Sequence, residues 1–131
     1  MSIQTLIASV KEQSFPISEY AVFGSALLGL YGLREVPNID LIVTNKLWGK
    51  LIQEYTPNEE GFIRFSGVKI SNWWFAVTRK DIPTMIKEAE IREGIPFVRI
   101  EEVRYYKEKL NREKDKRDIE LIDQYLAQQQ E

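Results

Sequence analysis

Apolar residues along this chain alternate between helical spacing and short uninterrupted runs. Helical spacing predicts longer helices over residues 2–11, 46–55, 101–110 and 114–128 and a short helix from residue 26 to about 31. Short apolar runs predict strands over 20–23, 39–43, 62–65, 68–74 and 95–100. Because helices interleave with strands, the pattern predicts an α+β domain in which helices cover a small mixed sheet.

Turn and cap residues divide these elements. Asn45 is predicted to cap the helix that begins at residue 46, and Asp81 the helix over about 82–91, with Gly94 ending the latter. Ser66-Gly67 predicts a β-hairpin before the strand at 68–74. Pro96 indicates an edge or entry position in the last strand, since proline cannot donate to a ladder.

Length and composition limit the alternatives. The 131 residues predict one domain, with a core over about 1–100 and a helical segment over about 101–128. Neither a signal-peptide pattern nor an apolar stretch long enough for a bilayer is visible, so we expect a cytoplasmic protein with no membrane partner. Without cysteine or histidine, thiolate chemistry, histidine acid–base catalysis and the usual zinc sites are excluded.

The stretch 20–44 is the candidate centre of any chemistry. Gly24-Ser25 predicts a tight turn between strand and helix, with Ser25 as the helix cap. Asp40 is the only charged residue of an apolar strand. A lone carboxylate there is costly without a partner, so Asp40 marks either a site or a structural pair with Arg34 or Lys107.

This stretch resembles the signature of the nucleotidyltransferase superfamily, in particular the minimal and abortive-infection-type nucleotidyltransferases. The residues that carry the resemblance are Gly24, Ser25, Gly32, Leu33, Arg34 and Asp40. A second segment is similar to the C-terminal part of the same family, through Lys107, Arg112, Lys114, Asp115 and Asp118. The resemblance extends over residues 20–123 and implies a nucleotidyltransferase fold.

The resemblance also implies a chemistry. Two Mg²⁺ ions, about 3.5–4 Å apart and held by carboxylates, would stabilise transfer of a nucleoside monophosphate from a nucleoside triphosphate (NTP). Asp40 would be the catalytic metal ligand, with Asn38 beside it. Gly24 and Ser25 would hold the triphosphate, and Arg34 and Lys107 would also bind the nucleotide.

Two positions depart from the family pattern. Asn38 stands where the first aspartate of an Asp-x-Asp pair is expected, and Ser71 where a third carboxylate is expected on the neighbouring strand. We therefore expect a nucleotidyltransferase-like protein whose catalysis is impaired or lost, which binds a nucleotide or a partner protein and needs no cofactor. The alternative is an active Mg²⁺-dependent enzyme that modifies a protein, RNA or small acceptor, with Glu35 as a substitute ligand. By resemblance, either would belong near toxin–antitoxin or phage-defence systems.

Two further features leave alternatives open. The charged run 112–118 is either part of the site or a solvated helix start with pairs such as Glu113–Arg117. Trp73 and Trp74 are predicted on opposite strand faces, as core or interface residues or as a platform for stacking a base.

Overall fold

The computed structural model describes residues 2–73 and 78–129, which form six α-helices and six strands. A single 3₁₀ turn, Ile17–Glu19, precedes the first strand. The elements in chain order are α1 (Ile3–Glu12), β1 (Tyr20–Phe23), α2 (Ala26–Leu30), β2 (Ile39–Val43), α3 (Asn45–Glu54), β3 (Ile63–Phe65), β4 (Val68–Ser71), α4 (Ile82–Lys87), β5 (Glu90–Arg92), β6 (Ile95–Phe97), α5 (Ile100–Leu110) and α6 (Glu113–Gln129).

The strands form one mixed sheet in the order β3-β4-β2-β1-β6-β5. The central pair, β1 and β2, is antiparallel, and each of these strands has a parallel neighbour on its other side, β6 and β4 respectively. The hairpins β3–β4 and β5–β6 complete the two edges. The predicted α+β class with a mixed sheet is thus confirmed.

Helices cover this sheet through their apolar stripes. In α1, Leu6, Ile7 and Val10 are buried against the sheet, as their spacing predicts. Met85 and Ile86 of α4 join the same core. The two C-terminal helices pack against each other, and α6 also contacts α2. Among the described residues, no helix combines the length and apolar character needed to cross a bilayer.

Helix caps follow local backbone geometry. Asp81 accepts a hydrogen bond from the Thr84 N–H at 2.8 Å, as predicted. The cap of α3 is Thr44 and not Asn45, because Thr44 has the extended backbone that lets its hydroxyl accept the Leu47 N–H at 3.2 Å.

The segment after α4 differs from its prediction. The helix ends at Lys87, and residues 90–97 form a hairpin. Glu93 and Gly94 have φ values of 54° and 83°, which suit a two-residue hairpin turn, so Gly94 serves a hairpin and does not end a helix.

The last strand also differs from its prediction. Pro96 lies in an internal strand, because β5 adds a further edge to the sheet. The parallel register between β6 and β1 is limited to Val22 opposite Phe97, so little pairing is lost to the proline. The strand predicted over 68–74 ends at Ser71, and Trp74 lies outside the described residues.

Candidate functional site

A cleft of about 570 Å³ opens between one end of the sheet and the two C-terminal helices. It is lined by the Gly24–Ser25 turn after β1, by the loop into β2, by the β3–β4 hairpin and by α5 and the start of α6. Six of its lining residues are cationic: Arg34, Arg64, Lys69, Lys107, Arg112 and Lys114. Its carboxylates are Asp40 and Glu60. The lining therefore favours an anionic ligand.

The Gly24–Ser25 turn brings backbone against the Asp40 carboxylate. Gly24 has a φ of 83°, and a Cβ at this position would lie 3.4 Å from Asp40 Oδ2. Ser25 does not cap α2 through its side chain, because its backbone is helical rather than extended. Its hydroxyl instead accepts a hydrogen bond from Lys107 Nζ at 2.8 Å. The turn thus lies against Asp40 at Gly24 and is hydrogen-bonded to α5 at Ser25.

Asp40 is the carboxylate of the cleft that lies in the sheet itself. Its side chain is partly buried, and its carboxylate makes no hydrogen bond or ion pair with any other described residue; Arg34 and Lys107 bind Asp118 instead, so neither predicted structural pair forms. Burial raises the pKa of Asp40 above its ordinary value, although the positive charges of Lys69, Lys107 and others partly oppose the rise. Asp40 is therefore an unpaired acid in a cationic cleft.

Behind the turn, buried Lys107, Asp115 and Asp118 of α5 and α6 pair with two more exposed arginines, Arg34 and Arg112; we call these five residues the buried ion cluster. Asp118 accepts two hydrogen bonds from Arg34, at 2.7 and 2.9 Å, and one from Lys107 Nζ at 2.8 Å. Burial alone would raise the pKa of Asp118, but these hydrogen bonds and charges hold it below its ordinary value. Lys107 and Arg34 thus both pair with Asp118.

The second carboxylate of the buried ion cluster serves the start of α6. Asp115 is fully buried and accepts the Arg112 N–H at 3.1 Å and the Arg112 Nε–H at 2.6 Å. Burial would raise its pKa, but hydrogen bonds from Arg112 lower it overall. The run 112–118 is therefore not simply a solvated helix start. At its surface, Lys116 pairs with Glu113 at 3.4 Å, in place of the predicted Glu113–Arg117 pair.

Three further cations line the cleft, and we call them the cation strip: Arg64 of β3, Lys69 of β4 and Lys114 at the start of α6. Among the described residues, none of the three pairs with a carboxylate within 4.0 Å. Lys69 Nζ instead lies 3.9 Å from the centre of the Phe62 ring, a cation–π contact. The strip therefore gives the cleft positive charge that no described carboxylate pairs with directly, although Asp40 interacts with it at longer range.

The strand register decides what stands beside Asp40. In the parallel pairing of β2 with β4, Asp40 lies opposite Lys69, and in the β3–β4 hairpin Lys69 lies opposite Arg64. Ser71, predicted for the third-carboxylate position, is two residues further on, opposite Ile42. It is buried and donates its hydroxyl to the Trp73 carbonyl at 2.9 Å. The neighbour of Asp40 is thus a cation rather than a neutral serine.

Other predicted residues are placed as follows. Asn38 lines the cleft two residues before Asp40. Glu35 is exposed and outside the cleft lining, with its carbonyl accepting from Arg34 Nη1 at 2.9 Å, so it does not substitute for a missing ligand. Trp73 packs on Phe62, a residue of the cleft lining, with ring centres 5.2 Å apart.

These donors were weighed against the Mg²⁺ pair that the resemblance implies. Within residues 2–73 and 78–129, no three carboxylates, histidines or cysteines converge in a way that could hold a metal ion. Besides Asp40, the cleft lining offers the amide of Asn38 and the carboxylate of Glu60, and the strand adjacent to Asp40 presents Lys69. Mg²⁺ favours charged oxygen ligands and dehydrates reluctantly. The donor set does not fit a two-ion site.

The sequence reasoning missed Arg64 and Lys69. Their signal is present in the chain: Phe62 and Arg64 lie on one face of a short strand, and Lys69 follows the Ser66-Gly67 turn that pairs it with Arg64. Hairpin geometry alone therefore brings the two cations together.

The chain matches no protein-family model, no curated protein and no solved structure. A function for this protein must therefore be inferred from the residues of the cleft.

Proposed function

We propose that this protein is nucleotidyltransferase-like, binds the polyphosphate of a nucleoside triphosphate in the cleft, and transfers the nucleotide poorly or not at all. The observation that carries the proposal is the cation strip facing the Gly24–Ser25 turn. Arg64, Lys69 and Lys114 have no carboxylate partner among the described residues, so phosphate oxygens can satisfy them without breaking an existing ion pair.

The buried ion cluster has a different part in this proposal. Lys107 and Arg34 were expected to bind phosphate, but both are engaged with Asp118, and Lys107 also holds the Ser25 hydroxyl. Withdrawing either from Asp118 would leave a buried carboxylate partly unpaired, which is costly. We assign them to positioning the turn, and the phosphate contacts to the cation strip.

Weak or absent transfer follows from the ligands around Asp40. A two-ion mechanism needs several carboxylates directed at one point. Asp40 is present, but Asn38 is neutral and Lys69 is positive. A cation in this position opposes a nearby divalent ion through direct repulsion. The active-enzyme alternative would have to operate with Asp40 and with Glu60, the other carboxylate of the cleft lining.

Nucleotide binding is the first test. Isothermal titration with ATP, GTP, CTP and UTP should detect at least one complex, and Lys114→Ala should weaken it about tenfold, the scale of one lost charge-assisted hydrogen bond. Lys116→Ala is the matched control, because Lys116 lies on the same helix, pairs with Glu113 and does not line the cleft. Absence of binding by all four nucleotides, or equal weakening by both variants, contradicts the proposal.

Transfer is the second readout. The protein is incubated with labelled NTPs, Mg²⁺ or Mn²⁺ and cell extract, beside Asp40→Ala. We expect no labelled product above the level of that variant. Transfer that is robust in the natural protein and lost in Asp40→Ala would establish the active-enzyme alternative.

A further inference from the structure

Three charged residues form one row across the strands at the mouth of the cleft. Asp40 of β2, Lys69 of β4 and Arg64 of β3 are successive register partners, so their side chains project from the same face of the sheet. Neighbouring strands lie about 4.8 Å apart, which puts adjacent members of the row within direct electrostatic reach. Asp40 is therefore followed along this row by two cations.

We infer that the cleft selects the metal-free form of a polyphosphate, whose charge is met by Lys69 and Arg64 where a divalent ion would otherwise bind. The inference rests on the proposed function, since it specifies the ionic form of the ligand in the same cleft.

The charge balance supports this selection. A divalent ion bound to a polyphosphate cancels part of its negative charge and brings its own hydration shell. The complex is then attracted less by Arg64, Lys69 and Lys114, and its metal is repelled by the same groups. Asp40 alone offers little compensation, because one carboxylate is a poor anchor for Mg²⁺. The metal-free ligand meets none of these costs.

The two cations are also suited to phosphate by their geometry. The contact of Lys69 Nζ with the Phe62 ring, at 3.9 Å, holds the ammonium group at the cleft wall. Arg64 is exposed on the edge strand, and its planar guanidinium can bind two phosphate oxygens at once. The Lys69 ammonium and the Arg64 guanidinium together can neutralise adjacent phosphoryl groups.

The test compares ATP and inorganic tripolyphosphate binding in EDTA and in excess Mg²⁺. We expect binding in EDTA that weakens several-fold when Mg²⁺ is added. Binding that appears only with Mg²⁺, or tightens with it, overturns the inference and leaves nucleotide binding itself intact. Absence of binding in both conditions overturns the proposed function together with the inference.

A charge reversal sharpens the test. Lys69→Glu places a second carboxylate beside Asp40, so binding in EDTA should fall at least tenfold and Mg²⁺ should now improve it. Lys50→Glu, which makes the same charge change at an exposed site outside the cleft, should keep the behaviour of the natural protein. If Lys69→Glu does not fold, Lys69→Met keeps the volume and should still lose the preference for the metal-free ligand. Unchanged preference in the folded variant contradicts the inference.

Discussion

The two walls of the cleft are both rich in charge, but they use it differently. On the helical wall, the buried ion cluster matches Arg34 and Lys107 with Asp118, and Arg112 with Asp115. The cation strip, formed by Arg64 and Lys69 on the strand wall and by Lys114 at the start of α6, has no carboxylate within 4.0 Å among the described residues. Charges that are paired within the protein thus hold the helices and the turn together, whereas the unpaired cations are available to a ligand.

Burial explains why the helical wall must be matched. Asp115 and Asp118 are 0% and 2% exposed, and Lys107 is 3% exposed. An ion withdrawn from water to this extent costs several kcal/mol unless partners and hydrogen bonds compensate. Arg64 and Lys114 are exposed and remain hydrated, so they can stay unpaired at little cost. The same residue types are therefore structural where they are buried and available where they are exposed.

The strongest test of this comparison is removal of the Asp118 charge. Asp118→Asn leaves buried Lys107 without its main partner, so the free energy of unfolding should fall by about 3–5 kcal/mol, measured by urea denaturation. The pKa of Asp118 is lowered by folding, so its stabilisation is present above the unfolded pKa and is lost as pH falls through the folded pKa. The loss in the variant should therefore shrink in acid.

Asp123→Asn is the matched control. Asp123 lies on the same helix and accepts two hydrogen bonds from Arg104, at 2.7 and 3.0 Å, but half of its side chain is exposed. Solvent screening limits such a pair, so we expect a loss below about 1 kcal/mol. Equal losses for the two variants would mean that burial does not distinguish the two pairs.

The turn that joins the two walls provides a test of intermediate size. Gly24→Ala imposes a left-handed backbone on alanine and places its Cβ 3.4 Å from Asp40 Oδ2, so we expect a loss of about 1–2 kcal/mol. Gly49→Ala is the control: Gly49 is helical with no neighbour within 4 Å, and alanine there should stabilise by about 0.5–1 kcal/mol. Thermal unfolding of both variants measures the difference, and a stabilised Gly24→Ala would show that the turn is not strained.

Local elements of this fold were predictable because their signals are local. The strand–turn–helix–strand unit of 20–44 has apolar runs bounded by Gly24, and the structure confirms both strands. The hairpin at 90–97 was not predictable from periodicity, since β5 and β6 have three residues each and α4 is followed by a helix-compatible apolar position at Ala89.

Neither the register of β4 against β2 nor the pairing of Asp118 could be predicted from the sequence, and the reasons differ. Lys69 and Ser71 lie on the same face of β4, so alternation cannot decide which of them stands beside Asp40. A long-range hydrogen bond from the Ile39 N–H to the Gly67 carbonyl, at 2.9 Å, accompanies the observed register. Likewise, Asp118 is buried only because α6 docks against α5 and the Ser25 turn, which no local pattern encodes.

The smallest expected effect concerns Asp40, the carboxylate between the two walls. Because burial raises its pKa, its contribution to stability is fully present below the unfolded pKa and is lost as pH rises through the folded pKa. Near neutral pH the charged form is therefore disfavoured, and Asp40→Asn should raise the free energy of unfolding by less than about 1 kcal/mol.

Urea denaturation across the range from acid to neutral pH measures this effect, and the advantage of Asp40→Asn should disappear in acid, where Asp40 itself is protonated. The sign of the stability change is decisive, because burial raises the pKa of Asp40 while the charges of nearby cations lower it. If the variant is less stable at neutral pH, the charges of Lys69 and Lys107 outweigh burial, and Asp40 is electrostatically matched like the carboxylates of the buried ion cluster. If the variant is more stable, Asp40 is unmatched like the cation strip beside it, and the division between the two walls extends to the only acidic residue in β2.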